Sequence, residues 1–163
     1  MTRLRISGFT LIELVVVILL VSIISVYAAS RYFGSSSVDA HLIESELLSS
    51  LRLTQLRAMH RNGFCGRWLV DDSQAAQVSP NTDASNCATS IVPNDRRDSS
   101  FVDAKAVGSA LVLTTNTGTS YVDFDSLGRP SQCTTSNCQL RWSTTSGSVG
   151  VICINIEGGI YAC

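Results

Sequence analysis

Gly8-Phe9-Thr10-Leu11-Ile12-Glu13-Leu14 opens an apolar run that continues to Ala29. One carboxylate, Glu13, sits near the start of that run. A charge there is costly: an acid or base at the centre of a membrane helix costs roughly 2.5–3.5 kcal/mol on insertion scales, and less near an interface. A plain anchor has no reason to keep such a residue. Something must neutralise it.

The flanking residues offer a partner. A short basic leader, Met1-Thr2-Arg3-Leu4-Arg5-Ile6-Ser7, precedes the small Gly8. A cut after Gly8 would make Phe9 the first residue and leave its amine about one helical turn from Glu13. The pair is badly placed within one chain, because the amine lies at the tip. Between two staggered chains the amine of one can meet Glu13 of the other. Opposite unit charges about 4 Å apart attract by roughly 4 kcal/mol at an effective dielectric near 20. That offsets the burial cost, and only on assembly.

The heptapeptide and the apolar helix behind it resemble the signature of type IV pilins and type II secretion pseudopilins. The resemblance covers about thirty residues. It implies that a prepilin peptidase cuts between Gly8 and Phe9 and N-methylates Phe9. It also implies that Glu13 guides subunit docking. The implied partners are other pilin or pseudopilin subunits, the peptidase, an inner-membrane assembly platform, and the membrane itself before assembly.

The rest of the chain fits an exported domain. It has 163 residues and a formal net charge of −1. Without the leader, acids outnumber bases by three, which is no basic field for nucleic acid. The cysteines are Cys65, Cys87, Cys133, Cys138, Cys153 and Cys163. An even count beside an export signal points to disulfides in an oxidising compartment. Fifteen pairings are possible. The pairs Cys65–Cys87, Cys133–Cys138 and Cys153–Cys163 close the shortest loops. Cys133-x4-Cys138 also has a spacing zinc tolerates, but no second Cys or His pair accompanies it.

Arg3 and Arg5 hold the leader side in the cytoplasm. Phe9 to Ala29 spans roughly 31 Å as a helix, one bilayer core. An ordinary signal peptide, cut near Tyr27-Ala28-Ala29-Ser30, is the bland alternative, and Glu13 argues against it. Gly34-Ser35-Ser36-Ser37 is weak in helix propensity and predicts a kink, or an end with Ser37 capping a second segment. From Val38 to Arg61 the helical pattern returns. Ala40, Ile43, Leu47, Leu51, Thr54 and Ala58 fall on one face. Leu42, Leu53 and Leu56 lie elsewhere, so this helix wants two partners, its own sheet and neighbouring helices. Asn62-Gly63 ends it.

Beyond Gly63 the pattern is β and loop. Phe64–Val70 reads as a strand, and Asp71 to Asp95 as a long loop pinned through Cys87. Arg96-Arg97 is a solvated charge cluster. Phe101–Val107 reads as a weak strand. Ala110–Thr115 and Ser120–Phe124 are joined by a turn at Asn116-Thr117-Gly118. Gln139–Ser143, Val149–Ile156 and Ile160–Cys163 complete the set, the last two as a hairpin that Cys153 and Cys163 can staple.

The expected class is therefore α+β. Residues 1–8 form the leader, 9–62 a long helix with 9–29 membrane-spanning, and 63–163 a disulfide-linked antiparallel β domain. Phe124-Asp125-Ser126-Leu127-Gly128-Arg129-Pro130 and the C-terminal strand pair resemble the pseudopilin H and FimT-like group. The six-cysteine form is similar to minor subunits of mannose-sensitive haemagglutinin pili.

No catalytic constellation is present. His41 and His60 lie about five helical turns apart, with no acid or Cys at ligand spacing. There is no phosphate-binding Gly loop, nucleophile elbow or HExxH. Asp71-Asp72 alone does not specify calcium. Trp68 and Trp142 read as core. No enzyme, cofactor or metal is expected.

The expected role is a minor pilin or pseudopilin that builds, primes or caps a type IV pilus or type II secretion pseudopilus. It would be single-pass in the inner membrane with a periplasmic domain, and then part of the filament. A tip-located binder of DNA or surfaces is the alternative, and an anchored exported domain a further one. Residues 130–163 carry one basic residue, Arg141, so nucleic acid is not the expected partner.

Overall fold

The computed structural model describes the backbone of residues 10–32, 35–145, 147 and 149–163. Side chains of 26–39 lie outside the description, as do Gly8 and Phe9. The chain divides into two compact units, Met1–Ser36 and Ser37–Cys163.

The first unit contains helix α1, Leu11–Tyr32. Thr10 caps it. The Glu13 N–H donates to the Thr10 hydroxyl at 3.3 Å, and the Leu14 N–H to the Thr10 carbonyl at 3.2 Å. This is one half of a Thr-x-x-Glu capping box, which serves amides that no helical carbonyl can reach. Among the described residues no helix is long and apolar enough to cross a membrane. Described side chains of α1 stop at residue 25, so the expected span over 9–29 lies partly outside them.

The second unit is built on helix α2, Ser35–His60, of which it contains the part from Ser37 onward. Ser37 is not its cap: Ser35, Ser36 and Ser37 are already helical. The residues at the break, 33 and 34, lie outside the description. The expected stripe is buried: Ala40, Ile43, Leu47, Leu51, Thr54 and Ala58 all face inward. It packs into one core with residues of two antiparallel four-stranded sheets.

The first sheet has the order β3-β2-β1-β5, with β1 at Arg67–Asp71, β2 at Gln74–Gln77, β3 at Val102–Asp103 and β5 at Tyr121–Asp123. The second has the order β4-β6-β7-β8, with β4 at Ser109–Thr114, β6 at Cys138–Thr144, β7 at Val149–Ile154 and β8 at Ile160–Ala162.

Several sequence expectations shift here. Strand β2 falls inside the expected Asp71–Asp95 loop. It forms because Asp72 and Ser73 both take positive φ, 45° and 62°, the geometry of a two-residue hairpin turn. The Phe101–Val107 strand shrinks to β3, followed by a 3-10 turn at Lys105–Val107. Strands β4 and β5, neighbours in sequence, belong to different sheets. Phe64 makes only an isolated bridge, to Asp83.

The loop from Val78 to Phe101 is not free. Ile91, Ala88 and Phe101 pack on Leu69, Ala76, Val78 and Tyr121, making a second small core on the outer side of the first sheet. Arg57 of α2 ties this loop down. Its Nη1 donates to Asp98 Oδ1 at 2.7 Å and to Gln77 Oε1 at 2.8 Å. Burial alone would raise the Asp98 carboxyl. The hydrogen bonds from Arg57 and from the Ser100 N–H outweigh that and hold it below the usual carboxylate range.

Disulfides join Cys65 to Cys87, Cys133 to Cys138 and Cys153 to Cys163, the three short-loop pairs. Trp68 and Trp142 are both buried. The Trp68 Nε1–H donates to Ser50 Oγ at 2.8 Å, and that hydroxyl in turn donates to the Ser100 carbonyl. Gly150 lies flat under Trp142, where a Cβ would run into the indole ring.

Two stability outcomes follow. Gly150→Ala should destabilise the protein by about 1–3 kcal/mol through overpacking, read as a lower urea midpoint in tryptophan fluorescence. Because the Asp98 pKa is depressed, its contribution is present above the unfolded value, about 3.9, and is lost as pH falls through the folded value. Asp98→Asn should therefore cost on the order of 1 kcal/mol at pH near 7. The gap from the parent chain should narrow as pH falls through the unfolded value and close once it is below the depressed folded value, in the same assay.

Candidate functional site

The candidate assembly segment begins where α1 begins. Thr10 fixes the first turn, and Glu13 stands in it, at the positive end of the helix dipole. Around it the apolar side chains face outward: Leu11 is 83% exposed, and Ile12, Leu14, Val16, Val17 and Ile18 are exposed as well. Among the described residues Glu13 forms no ion pair. The described part of the helix thus carries an acid with no ion pair among exposed apolar side chains. Such a surface is stable in lipid or against other apolar helices, and an acid within it calls for a cation. Gly8 and Phe9, the expected cleavage and methylation positions, fall outside the described residues.

The six expected cysteines are all paired, so none is available to a metal. Among the described residues no group of His, Cys, Asp and Glu is placed to hold a metal ion. His41 and His60 are both exposed on α2. Asp72, half of the acidic pair, is engaged by Lys105 at 2.5 Å. Arg96 and Arg97 are exposed, in a 3-10 turn.

Two arrangements escaped the sequence reading. Arg67 grips Asp123 with two hydrogen bonds, of 2.7 and 2.8 Å, and stacks on Tyr121 at 3.7 Å. It also donates to the Cys87 and Ala88 carbonyls, at 3.4 and 3.3 Å, so the stapled loop is anchored to β1 and β5 together. The hydrogen bond to Asp123 raises the Arg67 pKa against the opposing effect of burial. The partners are separated by 56 positions, and nothing local pairs them.

The second arrangement is the pairing of two turns that the sequence marks singly, at Asp125–Pro130 and at Glu157-Gly158-Gly159. In Asp125–Arg129 the Asp125 Oδ1 accepts the N–H groups of Leu127 and Arg129, at 2.9 and 2.8 Å. In Asn155–Gly159 the Asn155 Oδ1 accepts those of Glu157 and Gly159, at 3.1 and 2.6 Å. Each turn carries a glycine at positive φ in fourth place, Gly128 at 79° and Gly158 at 90°. Gln55 of α2 donates to both glycine carbonyls at 2.7 Å. A Cβ on Gly158 would strike the Gly128 carbonyl, so the two turns are in direct contact. The signal was the repeated Asx-x-x-Gly spacing.

Residues 3–29 match the family described as the prokaryotic N-terminal methylation motif. No curated protein and no solved structure matches the chain. Residues 3–29 are thus a type IV pilin-like N-terminus, of the kind that prepilin peptidase processes and that anchors its protein in the inner membrane before assembly with other pilins.

Proposed function

We propose that this protein is a minor pilin or pseudopilin, a structural subunit of a type IV pilus or type II secretion pseudopilus. The observation that carries the reading is Glu13, without an ion pair among the described residues, in the exposed apolar first turns of α1. An acid in that position is costly to a lone chain in lipid. It becomes favourable when the amine of a second processed chain meets it. In this reading the cut falls after Gly8, Phe9 is the methylated residue, and Glu13 selects the docking register.

Three disulfides fit an extracytoplasmic domain, so the second unit is assigned to the periplasmic side. Pilin-type proteins are structural, and no catalytic step is assigned to this one. A place beside pseudopilin H and FimT-like subunits rests on the turn at Asp125–Arg129 and the hairpin of β7 and β8.

Mass spectrometry of the mature protein should find an N-methylated Phe9 as the first residue. A start at Ala29 or Ser30 would remove the amine from reach of Glu13 and end this reading. Glu13→Val should leave cleavage intact and should cut recovery of the subunit in sheared or overexpressed filaments by about tenfold or more, the effect of losing a pair worth over ~1.4 kcal/mol. Unchanged recovery would refute the docking role.

A further inference from the structure

Outside α1, the three most exposed large aliphatic side chains among the described residues are Leu127 at 65%, Val149 at 64% and Val112 at 57%. They fall on two separate surfaces of the second unit.

Val112 and Val149 belong to the outward face of the second sheet. Cross-strand partners share a face, and the register puts Val112 opposite Arg141, Arg141 opposite Val151, and Ser143 opposite Val149. Arg141 is thus a single cation in an apolar row. Its only described side-chain partner is Gln139 Oε1, at 3.2 Å.

Leu127 belongs to the matching turns. It occupies the third place of its turn, as Glu157 does in the other, and the exposed Ile156 stands beside Glu157. Both turns are fixed by internal hydrogen bonds and by Gln55. Little entropy would be lost on docking them. Among the described residues neither Glu157 nor Arg141 forms an ion pair.

Each surface therefore carries exposed aliphatic side chains and one charge that has no ion pair among the described residues, and the charges are opposite. We propose that the turn pair of one copy, through Leu127, Ile156 and Glu157, docks on the outer sheet face of a second copy, at Val112, Arg141 and Val149. The two surfaces differ, so the contact is heterologous. Such contacts propagate instead of closing on themselves unless a rotation happens to make a ring. The inference rests on the subunit reading above and adds to it the surfaces by which neighbouring domains meet. Glu157 against Arg141 sets register and excludes a like-charged approach, while the aliphatic side chains supply burial.

The test uses the full-length protein in its own membrane, with a photoreactive phenylalanine analogue replacing Val149. Cross-links are mapped by mass spectrometry. The expected product joins position 149 of one copy to residues 125–129 or 155–159 of another. Arg141→Glu should lower its yield about tenfold, and so should Glu157→Arg; the two together should restore it. Cross-links to a different protein, a product joining position 149 to itself, or no product would overturn the contact. So would failure of the double swap to recover. Filament incorporation of the Glu13→Val chain is scored in parallel. A parent chain that enters filaments without the cross-link refutes this contact alone. A chain that never enters filaments refutes the subunit reading, whatever the cross-link shows.

Discussion

One apolar stripe holds the second unit together. Ile43, Leu47, Leu51 and their neighbours on α2 meet side chains of both sheets in a single core. Neither sheet is large: each has four strands, and β3, β5 and β8 have two or three residues. Strands that short gain little from their own ladders. They persist because α2 buries one face of each. The polar contacts that α2 also makes, Arg57 to the loop and Gln55 to the two turns, then fix loops that have little core of their own.

The other constraint is the single acid of α1. It has no charged partner among the described residues, and the side chains around it face outward. The two units therefore pose opposite problems. The second buries its α2 stripe within one chain, while the described part of the first leaves apolar side chains exposed around an acid that has no ion pair among the described residues. In the subunit reading proposed above, folding completes the core and assembly completes the helix.

What the sequence revealed follows from how local each signal is. Glu13 was legible because the cost of a charge among apolar residues needs no tertiary knowledge. The α2 stripe was legible because 3.6-residue spacing identifies its buried face. The hairpin of β7 and β8 announced itself through Glu157-Gly158-Gly159. Strand β2 did not, because Gln74-Ala75-Ala76-Gln77 lacks the β-branched and aromatic residues that mark strands, and its turn is Asp72-Ser73 in place of Asn-Gly. The division of β4 and β5 between two sheets was hidden too, since a Gly turn between two strands says nothing about their partners. Arg67 and Asp123 meet only once β1 and β5 are paired. The small core of Ile91 and Phe101 depends on isolated apolar residues in a polar stretch, which carry no periodicity.

The staple between Cys65 and Cys87 has a bearing on the timing of biogenesis. It fastens the segment that shelters Leu69, Ala76 and Val78, and a thiol-reducing cytosol does not allow it to form. Before translocation the segment must rely on Arg67 and a handful of aliphatic contacts. The staple thus depends on an oxidising compartment, which fits an extracytoplasmic domain.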